Sequence, residues 1–338
     1  MPKVSTKIVA ELSANHNHDI AIAKKTILAA RQAGADVLKI QTYTPDTMTI
    51  NSSRDDFIVR GGLWDGYTLY DLYQEAYTPW EWHEELFRYA RSLDVDIFST
   101  PFDKTAVDFL EQFEPSHTKI ASFELFDIPL IEYAASKGRP MIMSTGLAQL
   151  ADIELAVNAC QRMGNNQITL LKCTSAYPAP REEANLLTIP QMKETFGLEV
   201  GLSDHTMGAS SAIAAVALGA TIIEKHFILD RDIGGPDASF SMEPVEFKNM
   251  VNSIREVEEA LGKVSYELSE KTKMSKIFAR SLFIVEDVKA GERITEKNVR
   301  SIRPGNGMHP KYYSQIIGMR FYKNAERGTP LTWEIVIG

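Results

Sequence analysis

His205 and His226 end two neighbouring apolar runs, Gly201-Leu202-Ser203-Asp204-His205 and Ile222-Ile223-Glu224-Lys225-His226. Two imidazoles so placed can share one divalent cation and leave coordination positions open for water and substrate. Lys39 and Lys119 end two other such runs, and Thr100, Ser122, Ser144, Ser175 and Ser203 supply hydroxyls at comparable positions. Charge-assisted donors hold phosphate and carboxylate oxygens far better than neutral ones, so the set suits a ligand carrying both groups, as phosphoenolpyruvate does. Glu11 and Glu124 are the candidates for acid and base work. Taken singly, each lysine could simply pair an Asp or Glu, and each histidine could be a hydrogen-bonded structural residue. Their joint occurrence favours a site. A pyruvate aldolase, with Lys39 or Lys119 as Schiff-base amine, is the rival chemistry.

Other features read more plainly. Asn15-His16-Asn17-His18-Asp19 could be a metal tract, but His18 suits a solvated helix entry, and His83 and His309 read as surface residues. Trp64, Tyr67, Tyr70, Tyr73, Tyr77 and Trp80 suit either a lid stacking on a sugar or the packing of a long loop. No Gly-rich P-loop, Rossmann fingerprint, Cys-x-x-Cys pair or Gly-x-Ser-x-Gly elbow occurs, which removes the commoner nucleotide, zinc and hydrolase readings.

These residues need a scaffold that gathers strand ends. From residue 8 to about 262, β-branched apolar runs alternate with amphipathic helical segments, the pattern of βα units feeding a parallel sheet. The expected strands are Ile8–Leu12, Val37–Gln41, Asp96–Ser99, Thr118–Ala121, Met141–Ser144, Thr169–Cys173, Glu199–Leu202 and Ile222–His226. Eight such units imply a (β/α)8 TIM barrel, in which functional groups collect at the C-terminal strand ends. In strand order those ends deliver Glu11, Ser13, Asn15 and His16; Lys39 and Gln41; Ser99, Thr100 and Phe102; then Lys119, Ser122 and Glu124. The remaining four deliver Ser144 and Thr145; Thr174, Ser175 and Tyr177; Ser203, Asp204 and His205; and Glu224 and His226.

Asp19 can cap a helix over Ile20–Ala33, Thr78-Pro79-Trp80-Glu81 reads as a capping box, and Pro244–Leu261 reads as the last barrel helix, ended by Gly262. Thr42–Tyr77 is far longer than a usual βα loop, as lids and substrate-binding elements are. The expected organisation is a barrel over 1–262, a polar linker over 263–277, and a small, mostly β domain over 278–338 with strands at Ser281–Val285 and Leu331–Ile337.

The chain has 338 residues, 44% hydrophobic and 24% charged, and can bury a sizeable core. A net charge of −9 argues against a sequence-independent hold on nucleic acid or anionic membrane. Two cysteines, Cys160 and Cys173, make no disulfide framework. No run approaches a membrane span and the start lacks a signal-peptide core, so a soluble, cytoplasmic protein is expected.

At its strand ends the chain resembles the sialic acid synthase family, over essentially its whole length. Ala10-Glu11-Leu12-Ser13-Ala14-Asn15-His16, Leu38-Lys39-Ile40-Gln41, Ser99-Thr100-Pro101-Phe102 and Lys119-Ile120-Ala121-Ser122-Phe123-Glu124 look like the family's first four signatures. Ser144-Thr145-Gly146, Gly201-Leu202-Ser203-Asp204-His205-Thr206 and Glu224-Lys225-His226-Phe227 continue them in order. Phe278-Ala279-Arg280-Ser281-Leu282 and Arg303-Pro304-Gly305-Asn306-Gly307 are similar to its antifreeze-like SAF domain.

The resemblance implies a metal-dependent condensation of phosphoenolpyruvate with an acetamido-sugar. It implies manganese, or magnesium or cobalt, at His205 and His226. Lys39, Thr100, Lys119, Ser122, Ser144 and Ser203 would hold phosphoenolpyruvate, and Gln41 and Phe102 would join them in binding substrate. Glu11, Glu124, Tyr177 and Asp237 would face the sugar or the reaction centre. It implies a domain-swapped homodimer in which Arg303 reaches the sugar's N-acetyl group on the partner barrel. Ser175-Ala176-Tyr177-Pro178 departs from the Asn-x-Tyr-Pro of neuraminate synthases, which puts the phosphate contact of Ser175 in question. The family's pseudaminic branch also has serine there, and Thr44-Pro45-Asp46 and Gly61-Gly62-Leu63-Trp64-Asp65 look like that branch. The implied sugar is then 2,4-diacetamido-2,4,6-trideoxy-altrose, with neuraminate or legionaminate synthesis as alternatives and a non-catalytic sugar- or ice-binding module as the reading of another class.

Overall fold

The structure, a computed structural model, describes residues 5–337. Contacts divide the chain into two compact units, residues 1–262 and 263–338. In the first, β1 (Lys7–Glu11), β2 (Val37–Thr42), β3 (Asp96–Pro101), β4 (Thr118–Ile120), β5 (Met141–Ser144), β6 (Ile168–Cys173), β7 (Glu199–Asp204) and β8 (Ile222–His226) close into a parallel barrel in sequence order, with helices between them. Each expected strand is present within a residue or two at either end.

Alternation along the strands sorts the side chains. Val9, Val37, Phe98, Ile142, Leu171 and Ile222 pack together as an apolar layer in the lumen. Ile8, Ala10, Leu38 and Ile40, one residue out of phase, pack with the surrounding helices. Each such aliphatic side chain contributes about 1.5–3 kcal/mol on leaving water. Two residues further along β1, β2 and β8, the phase of the luminal layer brings Glu11, Lys39 and Glu224. Register then aligns them: Glu11 pairs with Lys39 on one side and His226 on the other, and Ser203 lies between Cys173 and Glu224.

Helix Ile20–Gln32 is capped by Asp19, whose carboxylate accepts from Ala21 N at 2.7 Å. Pro244–Leu261 ends at Gly262, as expected. The capping box expected at Thr78-Pro79-Trp80-Glu81 does not form. A 3₁₀ turn, Trp80–Trp82, leads into helix His83–Ser92, and the Thr78 hydroxyl instead bonds His16 Nε2 at 3.1 Å. His83 is buried rather than superficial: Nε2 lies 2.7 Å from Thr42 Oγ1 and the ring packs between Phe109 and Phe113. His18 and His309 are exposed.

The long segment Thr42–Tyr77 carries two short helices, Pro45–Met48 and Leu69–Ala76. Among the described residues no helix is long and apolar enough to cross a membrane.

The second unit has its own core of Leu282, Ile284, Val288, Ile294, Val299, Ile316, Phe321 and Leu331. Its strands are β9 (Ser281–Ile284) paired with β10 (Val299–Ile302), and β11 (Arg320–Phe321) paired with β12 (Val336–Ile337). The strand expected over Leu331–Ile337 is cut by a 3₁₀ turn, Trp333–Ile335, whose Trp333 ring packs on Tyr312. The segment read as linker is not featureless, since helix Glu270–Met274 lies within it and is capped by Ser269.

Candidate active site

The C-terminal mouth of the barrel opens into a cavity of about 410 Å³. At its floor Lys39 Nζ lies between two carboxylates, 3.0 Å from Glu11 Oε2 and 2.7 Å from Glu224 Oε1. All three residues are buried, so these pairs offset desolvation that none of the charges could bear alone. Burial pushes the Glu11 carboxyl up, but the Lys39 ammonium, the His226 ring and a hydrogen bond from Gln41 outweigh it and hold Glu11 well below the usual range. Gln41 Nε2 donates to Glu11 Oε1 at 3.0 Å and to Ser13 Oγ at 2.9 Å, and Ser13 in turn donates to Asp237.

Lys119 faces the same floor. Its Nζ donates to Ser144 Oγ at 2.7 Å and to Ile120 O at 3.0 Å, and stands 3.9 Å from Glu224. Burial lowers its pKa. Ser203 donates to Glu224 Oε1 at 2.9 Å, and Ser122 accepts from Gly146 N at 3.1 Å. Glycine is required at 146, because a Cβ there would collide with the hydroxyls of Ser175 and Ser122. Two ammonium groups, a backbone turn and several hydroxyls thus converge where an anion would bind, while the oxygen Glu224 Oε2 has no partner.

Glu124 behaves differently from Glu11. Burial without a cationic partner at hydrogen-bonding distance raises its pKa to about 7, and Oε2 is unpartnered. One carboxyl of the cavity is therefore fixed as an anion and another holds a proton near neutrality, which is the division of labour acid–base chemistry needs.

The two histidine rings lie with centroids 5.3 Å apart. His205 Nδ1 is 3.0 Å from Thr174 O, and because a carbonyl can only accept, Nδ1 carries the proton and Nε2 is left available to a metal. His226 Nδ1 is buried without a hydrogen-bond partner, 3.8 Å from Asp237 Oδ2, and Nε2 lies 3.3 Å from Glu11 Oε2. An orphaned ring nitrogen beside a second imidazole fits a divalent cation. Among the described residues no group of three His, Cys, Asp or Glu side chains stands in ligating geometry, so the protein offers two imidazoles and leaves the other positions to substrate and water.

Aromatic rings wall the mouth. Tyr177 lies 4.4 Å from the His205 ring and 5.7 Å from Trp64, and the Trp64 indole donates to Pro236 O at 3.1 Å. On the other side Tyr43 contacts Phe102 at 5.1 Å and Tyr73 at 5.8 Å. The inserted segment thus spans the mouth from the β2–β3 side to the loop after β8.

Glu11, Lys39, Gln41, Thr100, Phe102, Lys119, Ser122, Glu124, Ser144, Tyr177, Ser203, His205, His226 and Asp237 all line this one cavity. Ser175 is not among the lining residues; its hydroxyl is 3.8 Å from Cys173 Sγ. Arg303 belongs to the second unit, where it is exposed just after β10. Glu224, expected at a strand end but given no role, and Cys173, not expected at the site, also line the cavity. Glu224 shares a strand face with His226, two residues on, and that spacing was the signal. Cys173 Sγ lies 3.7 Å from His205 Nδ1, a contact no local pattern announces.

Residues 26–266 match the NeuB family and residues 279–336 match the SAF domain. The pseudaminic acid synthase of Helicobacter pylori is 49% identical over 327 residues, covering 96% of each chain. That of Campylobacter jejuni is 46% identical over 324 residues, covering 96% of this chain and 94% of its own. Among solved structures, the N-acetylneuraminic acid synthetase of Leptospira borgpetersenii in complex with citrate superposes with a TM-score of 0.72 at 29% identity, over 80% of this chain and 90% of that one.

Proposed function

We propose that this chain, which belongs to the NeuB family, condenses phosphoenolpyruvate with 2,4-diacetamido-2,4,6-trideoxy-altrose and releases phosphate, forming the nine-carbon sugar pseudaminic acid. The observation that carries the reading is the pairing of a doubly lysine-lined floor with two imidazoles in one cavity, His226 with Nδ1 unpartnered and His205 with Nδ1 turned to Thr174 O. The choice of sugar is supported by relatives 46% and 49% identical that bear the name pseudaminic acid synthase.

Lys39, Lys119, Ser122, Ser144, Ser203 and Thr100 hold the phosphate and carboxylate of phosphoenolpyruvate, the lysines exchanging carboxylate partners for ligand oxygens. His205 and His226 would hold a divalent cation, manganese by preference, which would supply Lewis acidity for the attack on the sugar's aldehyde. As C3 of phosphoenolpyruvate bonds to C1 of the open-chain sugar, Glu124 delivers a proton to the new alkoxide oxygen. C2 is left oxocarbenium-like and takes up a water oriented by Glu11. The tetrahedral intermediate then breaks its C–O bond to phosphate. Tyr177 and Trp64 pack on the sugar, and Gln41 and Asp237 face its polar groups.

The active unit of this reading is a domain-swapped homodimer, with Arg303 of one protomer completing the partner's site. Residues 263–338 carry 14 Lys and Arg against 8 Asp and Glu, a formal +6, leaving 22 against 37, or −15, on residues 1–262. Opposite charge on the two units is compatible with a tail of one chain docking on the barrel of another. Among the described residues no arginine lines the cavity, and in this reading Arg303 of the partner supplies the guanidinium for the N-acetyl oxygen. The reading places the enzyme in the cytoplasm, where phosphoenolpyruvate is made.

Metal-stripped protein incubated with phosphoenolpyruvate, Mn²⁺ and the altrose sugar should release phosphate and give a product three carbons longer. Preference for N-acetylmannosamine would move the chain to neuraminate synthesis, and no phosphate with either sugar would overturn the assignment.

A further inference from the structure

The roof of the cavity differs in kind from its floor. The charged groups and hydroxyls of the floor come from barrel strand ends. Val59, Trp64, Leu69, Leu72, Tyr73 and Ala76 line the same cavity but come from the inserted segment Thr42–Tyr77. Only two of these six carry a polar side-chain atom, and the Trp64 N–H is already committed to Pro236 O. The Tyr73 hydroxyl is what remains among these six, and the hydroxyl of Tyr43, which lines the cavity from the β2 end of the same segment beside the apolar Met48, is the other. Trp64 anchors the segment on the β8 side and Tyr73 on the β2–β3 side, so the aliphatic groups between them form a patch with almost nothing to hydrogen-bond a ligand.

We infer that this aliphatic roof selects the sugar, by receiving its C6 methyl and the methyl of its 4-acetamido group. The inference rests on the synthase reading above and adds the residues that choose among sugars. The aldehyde C1 must lie over the polar floor, beside His205 and His226, and C6 lies five carbon–carbon bonds away. A methyl placed against Val59, Leu69 and Leu72 sheds water at no polar cost. A C6 hydroxyl in the same place loses its water and finds few partners. A wall of this kind rejects an added hydroxyl by on the order of 100-fold or less.

The test compares kcat/KM, followed by phosphate release, for 2,4-diacetamido-2,4,6-trideoxy-altrose and its 6-hydroxy counterpart in the wild type, Val59→Thr and Leu69→Asn. Both positions are only half-buried, so the introduced hydroxyl and amide keep access to water, and thermal unfolding of each variant checks that the fold survives. The wild type should prefer the 6-deoxy sugar by about 10- to 100-fold. Each variant should shrink that ratio about tenfold through the sugar KM, with the phosphoenolpyruvate KM unchanged. A wild type indifferent to the C6 hydroxyl, or a ratio that neither variant moves, overturns the inference while leaving the synthase reading in place. Turnover of N-acetylmannosamine alone would remove the parent reading and this inference with it, and it is visible in the wild type before any variant is made.

Discussion

Asp204 and Lys225, the residues immediately before His205 and His226, form a buried ion pair with Nζ 2.7 Å from Oδ2. Asp204 Oδ1 also accepts from Thr206 N at 2.9 Å and Thr206 Oγ1 at 2.8 Å, and Lys225 donates to Thr206 O. The pair therefore ties the two strand ends that carry the imidazoles and fixes the backbone on both sides of His205. Lys225→Met should leave the phosphoenolpyruvate floor alone but loosen the imidazoles, lowering Mn²⁺ affinity by about 10- to 100-fold. Calorimetric titration of the metal-stripped protein checks this. An unchanged affinity would reduce the pair to a purely structural role.

Glu224 holds Lys39 at 2.7 Å and Ser203 at 2.9 Å, so the ligand-free floor is charge-compensated by the protein itself. Glu224→Gln leaves the buried lysines short of one anion, which should cost about 2–4 kcal/mol of stability. Phosphoenolpyruvate would then re-pair them. The rise in Tm on adding saturating phosphoenolpyruvate should therefore be larger in Glu224→Gln than in the wild type, as thermal unfolding with and without the ligand would show. An equal rise in both would mean that Glu224 does not compensate the floor.

Glu124 titrates at about 7 in the folded protein against 4.5 ordinarily, because burial disfavours its charged form. The native state thus retains a proton that the unfolded chain releases between those values, and stability falls as pH rises through that window. Above it the penalty is fully present, at about 3 kcal/mol or less. Glu124→Gln carries no such penalty. It should be more stable than the wild type at pH 8 and lose that advantage towards pH 4.5, while its kcat falls about 10²–10⁴-fold for want of the proton. A stability difference that does not vary with pH would show that Glu124 does not titrate in this range.

The barrel was legible because its strands are buried on both faces, so each appears as an apolar run and each polar residue at a run's end appears as an exception. Lys39, Lys119, His205 and His226 were such exceptions. What escaped depended on partners distant in sequence. The Thr78 hydroxyl, a helix cap by local pattern, is taken by His16, 62 residues earlier. His83 looked superficial because Thr42, 41 residues before it, and the rings of Phe109 and Phe113 bury it only in the folded state. In the second unit the strands are two to four residues long and depend on isolated bridges, too short for a period-2 pattern to show where Leu331–Ile337 breaks.

The proposed swap makes a prediction that a single-chain site cannot imitate. Arg303→Ala should raise the KM for the sugar and spare that for phosphoenolpyruvate, since the proposed reading gives Arg303 the N-acetyl group and the barrel floor the phosphate. Glu11→Gln should depress turnover from within the barrel. Each variant alone is impaired. In a mixed dimer with swapped tails, one site combines both lesions and the other combines neither, so refolding the two variants together in equal amounts should recover about one quarter of wild-type activity. If each tail served its own barrel, every site in every mixture would carry one lesion and no activity would return. Recovery on mixing would establish that the partner supplies Arg303, and its absence, with mixed dimers demonstrated by mass, would return the arginine to its own chain.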